Sequence, residues 1–136
     1  MRLLPALLLA AAAPVAPSDT VVGRWKTETH NGIVDIQRCG ASICGRIVTS
    51  DNMRAQPDMK DANNKDAASR GRSLHNLEIL KGFTWSDGVW SGGTIYNAED
   101  GRTYSAKITP IDANQLKLRG CVFVPVCKTQ VWTRVH

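Results

Sequence analysis

The runs "RTYSAKITP" (residues 102–110) and "QLKLRGCV" (residues 115–122) decide the fold class. In the first, Tyr104, Ala106 and Ile108 alternate with Thr103, Ser105 and Lys107; in the second, Leu116 and Leu118 alternate with Lys117 and Arg119. A period of two sends successive side chains to opposite faces of a strand, so each run predicts a strand with one buried and one wet face. Six further β-type runs complete the pattern: residues 21–28, 33–39, 44–50, 76–85, 89–97 and 129–136. Asn31-Gly32, Asp87-Gly88 and Asp100-Gly101 supply the positive-φ positions that hairpin turns need. No stretch with helical periodicity competes.

Eight antiparallel strands on so short a chain either close into an up-and-down barrel or stack as a sandwich. Closure removes unpaired edges, so the expectation is an all-β, eight-stranded antiparallel barrel. One connection is long: residues 50–73, polar and rich in Asp and Asn, with a short helix expected near "KDAASR" (65–70). It either caps a barrel mouth or moves freely.

The first nineteen residues, "MRLLPALLLAAAAPVAPSD", carry one positive charge at Arg2 ahead of an apolar run from Leu3 to Ala13, the pattern of a secretory signal peptide. The run is well short of the roughly 20 residues that span a bilayer, and no later segment is as apolar for as long, so no transmembrane segment is expected. Cleavage is expected after Ala12, residues 1–19 forming leader and linker and residues 20–136 one domain. The destination is the periplasm or the exterior. Without Arg2, 16 basic residues face 12 acidic ones, a mild +4. Lys and Arg are scattered singly, which points away from nucleic acid and toward solvated positions or the anionic surfaces of a cell envelope.

Outside the cytosol four cysteines imply disulfides, since the second pair's spacing misses the usual zinc-ligand pattern. Gly40 to Ile43 reads as a four-residue hairpin loop, and counting by twos puts Cys39 and Cys44 on the same polar face as Asp35, Gln37 and Arg46. A long bridge from Cys44 to Cys121 would stabilise more, roughly 4 to 5 kcal/mol against about 2 for a local loop. Proximity favours the local pairs, Cys39 with Cys44 and Cys121 with Cys127.

Catalytic and metal constellations are not recognised. His30, His75 and His136 are scattered, and no serine stands in a nucleophile-elbow motif. Asp58, Asp61, Asn63 and Asp66 invite a calcium reading, but the glycine and terminal glutamate of an EF-hand loop are missing. No enzyme activity, metal or cofactor is therefore expected.

The segments "GRWKTE", "CGASICGRIV", "DANNKDAASRGR", "WSGGTIYNAEDGRTYSAKI", "LKLRGCV" and "TQVWTRV", in that order, resemble a family of small exported bacterial proteins of unassigned function with a lipocalin-like barrel. The chain departs from the family pattern at Asn97-Ala98, at Lys65 and Ala67, and at Leu74-His75-Asn76. The resemblance implies that Asp61, Asn64, Asp66, Arg70 and Arg72 order the long loop. It also gives Gly23-x-Trp25 and Trp132-x-Arg134 a place, as first and last strands adjoin in a closed barrel. Arg134 is then expected to lie over the Trp25 indole, so that Trp25, Trp132 and Arg134 latch the closed end.

An eight-stranded barrel is either filled by side chains or holds one small ligand. Alternation puts Val34, Ile36, Ile47, Tyr104, Ile108, Leu116 and Leu118 inside, and Trp90 and Tyr96 on a common strand face. Gly92-Gly93 is read as a bulge or bend before a hollow. The expected ligand-binding set is Trp25, Trp90, Tyr96, Tyr104, Ile108, Leu116 and Leu118, for a small apolar or amphipathic molecule. The alternative is a filled barrel that serves as an envelope protein-interaction or structural module.

Overall fold

The computed structural model describes residues 2–7 and 14–136 of the 136-residue chain. The expected cleavage point after Ala12 lies outside the described residues. The strands are β1 (Gly23–Lys26), β2 (Ile33–Cys39), β3 (Ser42–Thr49), β4 (Glu78–Lys81), β5 (Thr84–Ser86), β6 (Val89–Asn97), β7 (Arg102–Asp112), β8 (Gln115–Phe123) and β9 (Val126–Arg134). Each pairs antiparallel with its neighbour, in the order β4-β3-β2-β1-β9-β8-β7-β6, and β4 also pairs with β6. That last pairing closes an eight-stranded ring. β5 pairs only with the start of β6, so β4 and β5 are two pieces of the single run expected at 76–85, broken at Gly82-Phe83.

The break is matched across the ladder. Between Trp90 and Gly93 the β6–β7 register shifts, with Trp90 opposite Ile108 and Gly93 opposite Ala106. The extra residue is a bulge, and beyond it the inward parity of β6 passes from even to odd positions. Ile95 therefore pairs with inward-facing Tyr104, while Tyr96 pairs with exposed Thr103. This corrects the expectation that Trp90 and Tyr96 share a face, which strict alternation requires and one inserted residue reverses.

A second correction concerns the first hairpin. Its turn has two residues, Gly40-Ala41, and Cys39 stands opposite Ser42 while Cys44 stands opposite Gln37. The Cys39–Cys44 disulfide is thus diagonal, with Cα atoms 5.9 Å apart. Both cysteines still share the outward face, because shortening a loop by two residues preserves parity. Cys121 and Cys127 are directly opposite across β8 and β9 and form the second disulfide.

The core is concentrated at one end of the barrel. Trp25, Trp90, Ile36, Ile43, Leu80, Ile108 and Leu116 are completely buried there. Buried indoles need partners for their N–H groups. Trp25 Nε1 donates to the Val21 carbonyl at 2.9 Å, and Trp90 Nε1 to the Ser18 carbonyl at 3.0 Å. Both acceptors belong to a strap, residues 17–22, that crosses this end. Arg134 fixes the strap further, with Nη1 donating to the Val22 carbonyl at 2.9 Å and Nη2 to the Thr20 carbonyl at 2.5 Å. Its guanidinium carbon lies 4.4 Å from the centroid of the Trp25 ring. Gly23 makes room for it: at φ 130° its backbone favours glycine, and a Cβ there would come within 2.6 Å of Arg134 Nη1. Arg38 lies over Trp90, 5.2 Å from the ring centroid, and pairs with Asp19 at 3.3 Å.

The other end is spanned by the long connection between β3 and β4. It opens with a short helix, α1 (Asp51–Ala55), capped by the Ser50 hydroxyl accepting from the Met53 amide. The short helix expected near 65–70 is a single 3-10 turn at Ala67–Ser69, capped by Asp66. No helix among the described residues is long and apolar enough to cross a membrane.

Candidate functional site

The barrel encloses a cavity of about 740 Å³ that opens at the end covered by the long connection. Its wall is built by inward positions near the strand ends: Val34 of β2, Ile47 of β3, Ile95 of β6, Tyr104 of β7, Leu118 and Gly120 of β8, and Gln130 and Trp132 of β9. Met53, Met59 and Leu74 of the connection roof it. Methionine suits such a roof, since its unbranched thioether adapts to occupants of different shape. Trp132 presents its ring to the space and keeps its indole N–H satisfied on the Gln130 side-chain oxygen at 3.0 Å.

Of the residues expected to touch a ligand, Tyr104, Leu118 and Tyr96 line the cavity. Trp25, Trp90, Ile108 and Leu116 lie in the packed half, away from the lining. Alternation reports which face a side chain takes but not its height along the barrel axis, and this is why the set divides. β7 runs from the mouth at Arg102 to the closed end at Asp112, so Tyr104 reaches the hollow and Ile108 the plug. Lining residues missed in the sequence include Val126 and Lys128, because the last strand was expected to start at Thr129 and starts at Val126. Ile95 was hidden by the bulge.

The roof is anchored at both sides of the mouth. On one side the Asp51 amide donates to the His30 carbonyl at 2.9 Å, and Asn31 donates to the Asp51 carboxylate at 3.0 Å. On the other, the Asn63 amide donates to the Ala98 and Glu99 carbonyls. Gly101 makes that second contact close, since a Cβ on it would fall 1.8 Å from the Asn63 carbonyl oxygen. His30 Nε2 lies 3.2 Å from Glu99 and joins the two turns across the opening.

The centre of the anchored loop is Asp61, whose side chain is fully buried. It accepts from the Tyr96 hydroxyl at 2.6 Å, from the Asn64 amide at 2.8 Å and from Arg72 Nε at 2.9 Å. Burial on its own raises a carboxyl pKa. Here three donors and the Arg72 charge outweigh it and hold Asp61 below its ordinary value. Tyr96 is raised, first by burial and then by its bond to the Asp61 carboxylate. Arg72 also stacks on the Tyr96 ring at 5.3 Å. Tyr104 is raised chiefly by donating its hydroxyl hydrogen to Asp100.

Asp61, Asn64, Asp66, Arg70 and Arg72 thus form one network with internal partners. The Asn64 side chain accepts from the Asp66 amide, and Arg70 Nε donates to the Asn64 carbonyl at 2.8 Å. Such groups are spent on holding the loop. Among the described residues no cluster of three or more His, Cys, Asp or Glu is placed to hold a metal.

A small antiparallel barrel plugged at one end and hollow at the other is a lipocalin-like calyx. A solved structure has the same architecture: protein HP1028 from the human pathogen Helicobacter pylori, described as belonging to the lipocalin family. It superposes with a TM-score of 0.75 over 85% of this chain and 82% of that one, at 19% sequence identity. Identity this low shows a shared fold and nothing finer. The chain belongs to the bacterial family described as "Uncharacterized protein conserved in bacteria (DUF2147)", which it matches over residues 23–134. No curated protein matches it.

Proposed function

We propose that the protein is an exported binder that holds a small apolar or amphipathic molecule inside its calyx. The observation that carries this reading is the hollow itself. At about 740 Å³ it falls within the roughly 300 to 1,000 Å³ of small-molecule pockets. Leu118, Val34, Ile47, Ile95 and Trp132 offer apolar contact in its depth, while Gln130, Lys128 and the Tyr104 hydroxyl offer polar contact toward the mouth. The leader and the two disulfides support export. The Asp61 network supports a roof held in place instead of a reactive centre, because each of its groups is already partnered.

Native mass spectrometry of the protein purified from its own envelope tests the proposal. Extra mass that disappears on denaturation is the expected result. A clean apo mass, unchanged after exposure to envelope lipid extract, would overturn it and favour a protein-interaction module. Gly120→Phe supplies the internal control. A Cβ at Gly120 meets nothing closer than 3.7 Å, so the added ring plugs the cavity without forcing the backbone, and the extra mass is expected to be lost.

A further inference from the structure

The most exposed apolar cluster of the barrel domain is the tip of the β8–β9 hairpin. Val122, Phe123, Val124 and Val126 are each 51 to 76% exposed, within a loop stapled by the Cys121–Cys127 disulfide. Monomeric proteins rarely leave such side chains together in water without a partner. The tip is also a rim of the mouth, since Val122 and Val126 line the cavity.

Charge on the adjoining outer face identifies the partner. The outward positions of β7 and β8 carry Lys107, Lys117 and Arg119, and the one carboxylate among them, Asp112 opposite Gln115, stands at the closed end, away from the tip. Lys107 stands directly opposite Arg119, an arrangement that costs stability when left alone. None of these three cations is ion-paired among the described residues. Glu28, which reaches β9 from its other neighbour, is occupied in accepting the Val131 amide at 2.9 Å. A short apolar tip continuous with an unpaired basic face is complementary to a layer of anionic headgroups over acyl chains.

We propose that the β8–β9 hairpin docks the protein onto an anionic phospholipid bilayer, with the tip entering the headgroup boundary and the Lys107–Arg119 face lying on the phosphates. The docking does not require the cavity to be occupied. If the calyx does bind an amphipath, the same contact sets its mouth beside the reservoir, a consequence that rests on the proposed function.

Flotation of the delipidated, oxidised protein with phosphatidylglycerol-containing vesicles, and with pure phosphatidylcholine vesicles, tests it. Binding to the anionic vesicles and its weakening by salt are expected. Phe123→Ser with Val124→Ser is expected to lower partitioning at least about tenfold, and Lys107→Glu with Arg119→Glu to remove the preference for anionic lipid. Ile111→Ser, an exposed apolar residue near the closed end, is expected to change nothing, and Gly120→Phe is expected to float like the parent. Thermal melts report whether each variant is folded. Independently, Phe123→Trp is expected to shift to the blue on vesicles and to be quenched by brominated lipid. Failure of the parent to float, or flotation indifferent to the tip variant, overturns the proposal. A dimer in sedimentation that the tip variant dissolves also overturns it, by assigning the patch to a second copy.

Discussion

Three glycines stand on inward positions of the barrel, and the two ends treat them differently. In the closed half, a Cβ on Gly93 would lie 2.5 Å from the Phe83 ring, and one on Gly45 would lie 2.6 Å from Leu80 Cδ1. In both cases a neighbour's side chain fills the missing volume. In the open half Gly120 has nothing nearer than 3.7 Å. A glycine in a strand is therefore ambiguous on its own: it makes a hollow only where no large residue reaches across. In the closed half the break of β4 and β5 at Gly82-Phe83 turns Phe83 inward onto Gly93, whereas in the open half Ile95 and Tyr104, the side chains nearest Gly120, come no closer than 3.7 Å.

That contrast can be broken by substitution, starting with the largest expected effect. Trp90→Ala removes a completely buried indole from the plug and is expected to cost about 3 to 5 kcal/mol in urea denaturation. A loss of less than about 1 kcal/mol would mean the closed half is not the packed core of the molecule. Gly93→Val forces two methyl groups into the Phe83 ring and is expected to cost about 1 to 3 kcal/mol by the same measurement.

Asp61→Asn is expected to cost about 1 to 3 kcal/mol at neutral pH, because buried donors lose a charged acceptor. It also sharpens the contrast, since it loosens the roof and leaves the plug alone. The sign of its pH dependence follows from the lowered carboxyl. A group whose pKa is depressed by folding adds stability above its unfolded value, close to the ordinary 3.8, and loses it as pH falls through the folded value. The parent is therefore expected to lose roof protection in hydrogen exchange as the pH is taken below about 4, and the variant to be flat there.

The smallest effect is expected from Gly120→Leu. It fills empty space at an unstrained position, so stability is expected to stay within about 1 kcal/mol of the parent or to rise. A cost comparable to that of Gly93→Val would show the two glycines to be alike and would remove the contrast.

Much of the architecture was legible from alternation alone. Tyr104, Ala106, Ile108, Leu116 and Leu118 face inward as their spacing requires, and turn dipeptides marked the hairpins. Proximity in sequence pointed to both disulfides, and the parity that puts Cys39 and Cys44 on one face survives a two-residue error in loop length. Two things were not legible, for definite reasons. The glycine pair Gly92-Gly93 marks a bulge as its reading allowed, but strict alternation carried across the inserted residue put Tyr96 on the face of Trp90 and hid Ile95. Height along the axis is set by strand tilt and stagger, so Trp25, Trp90, Ile108 and Leu116 could be recognised as inward but not as belonging to the plug. The Asp61 network was readable only as a set of family positions, since its central contact joins residues 61 and 96 through folding.

The strap that seals the closed end brings the two ends of the barrel chain together. Arg134 holds the carbonyls of Thr20 and Val22, and the Val135 amide donates to the Arg24 carbonyl at 2.9 Å. Both chain ends thus leave from the pole opposite the cavity. Any sequence fused there, or any solid support attached there, orients the molecule with its mouth pointing outward, which makes terminal immobilisation the natural geometry for recording vesicle capture by the hairpin on a sensor surface.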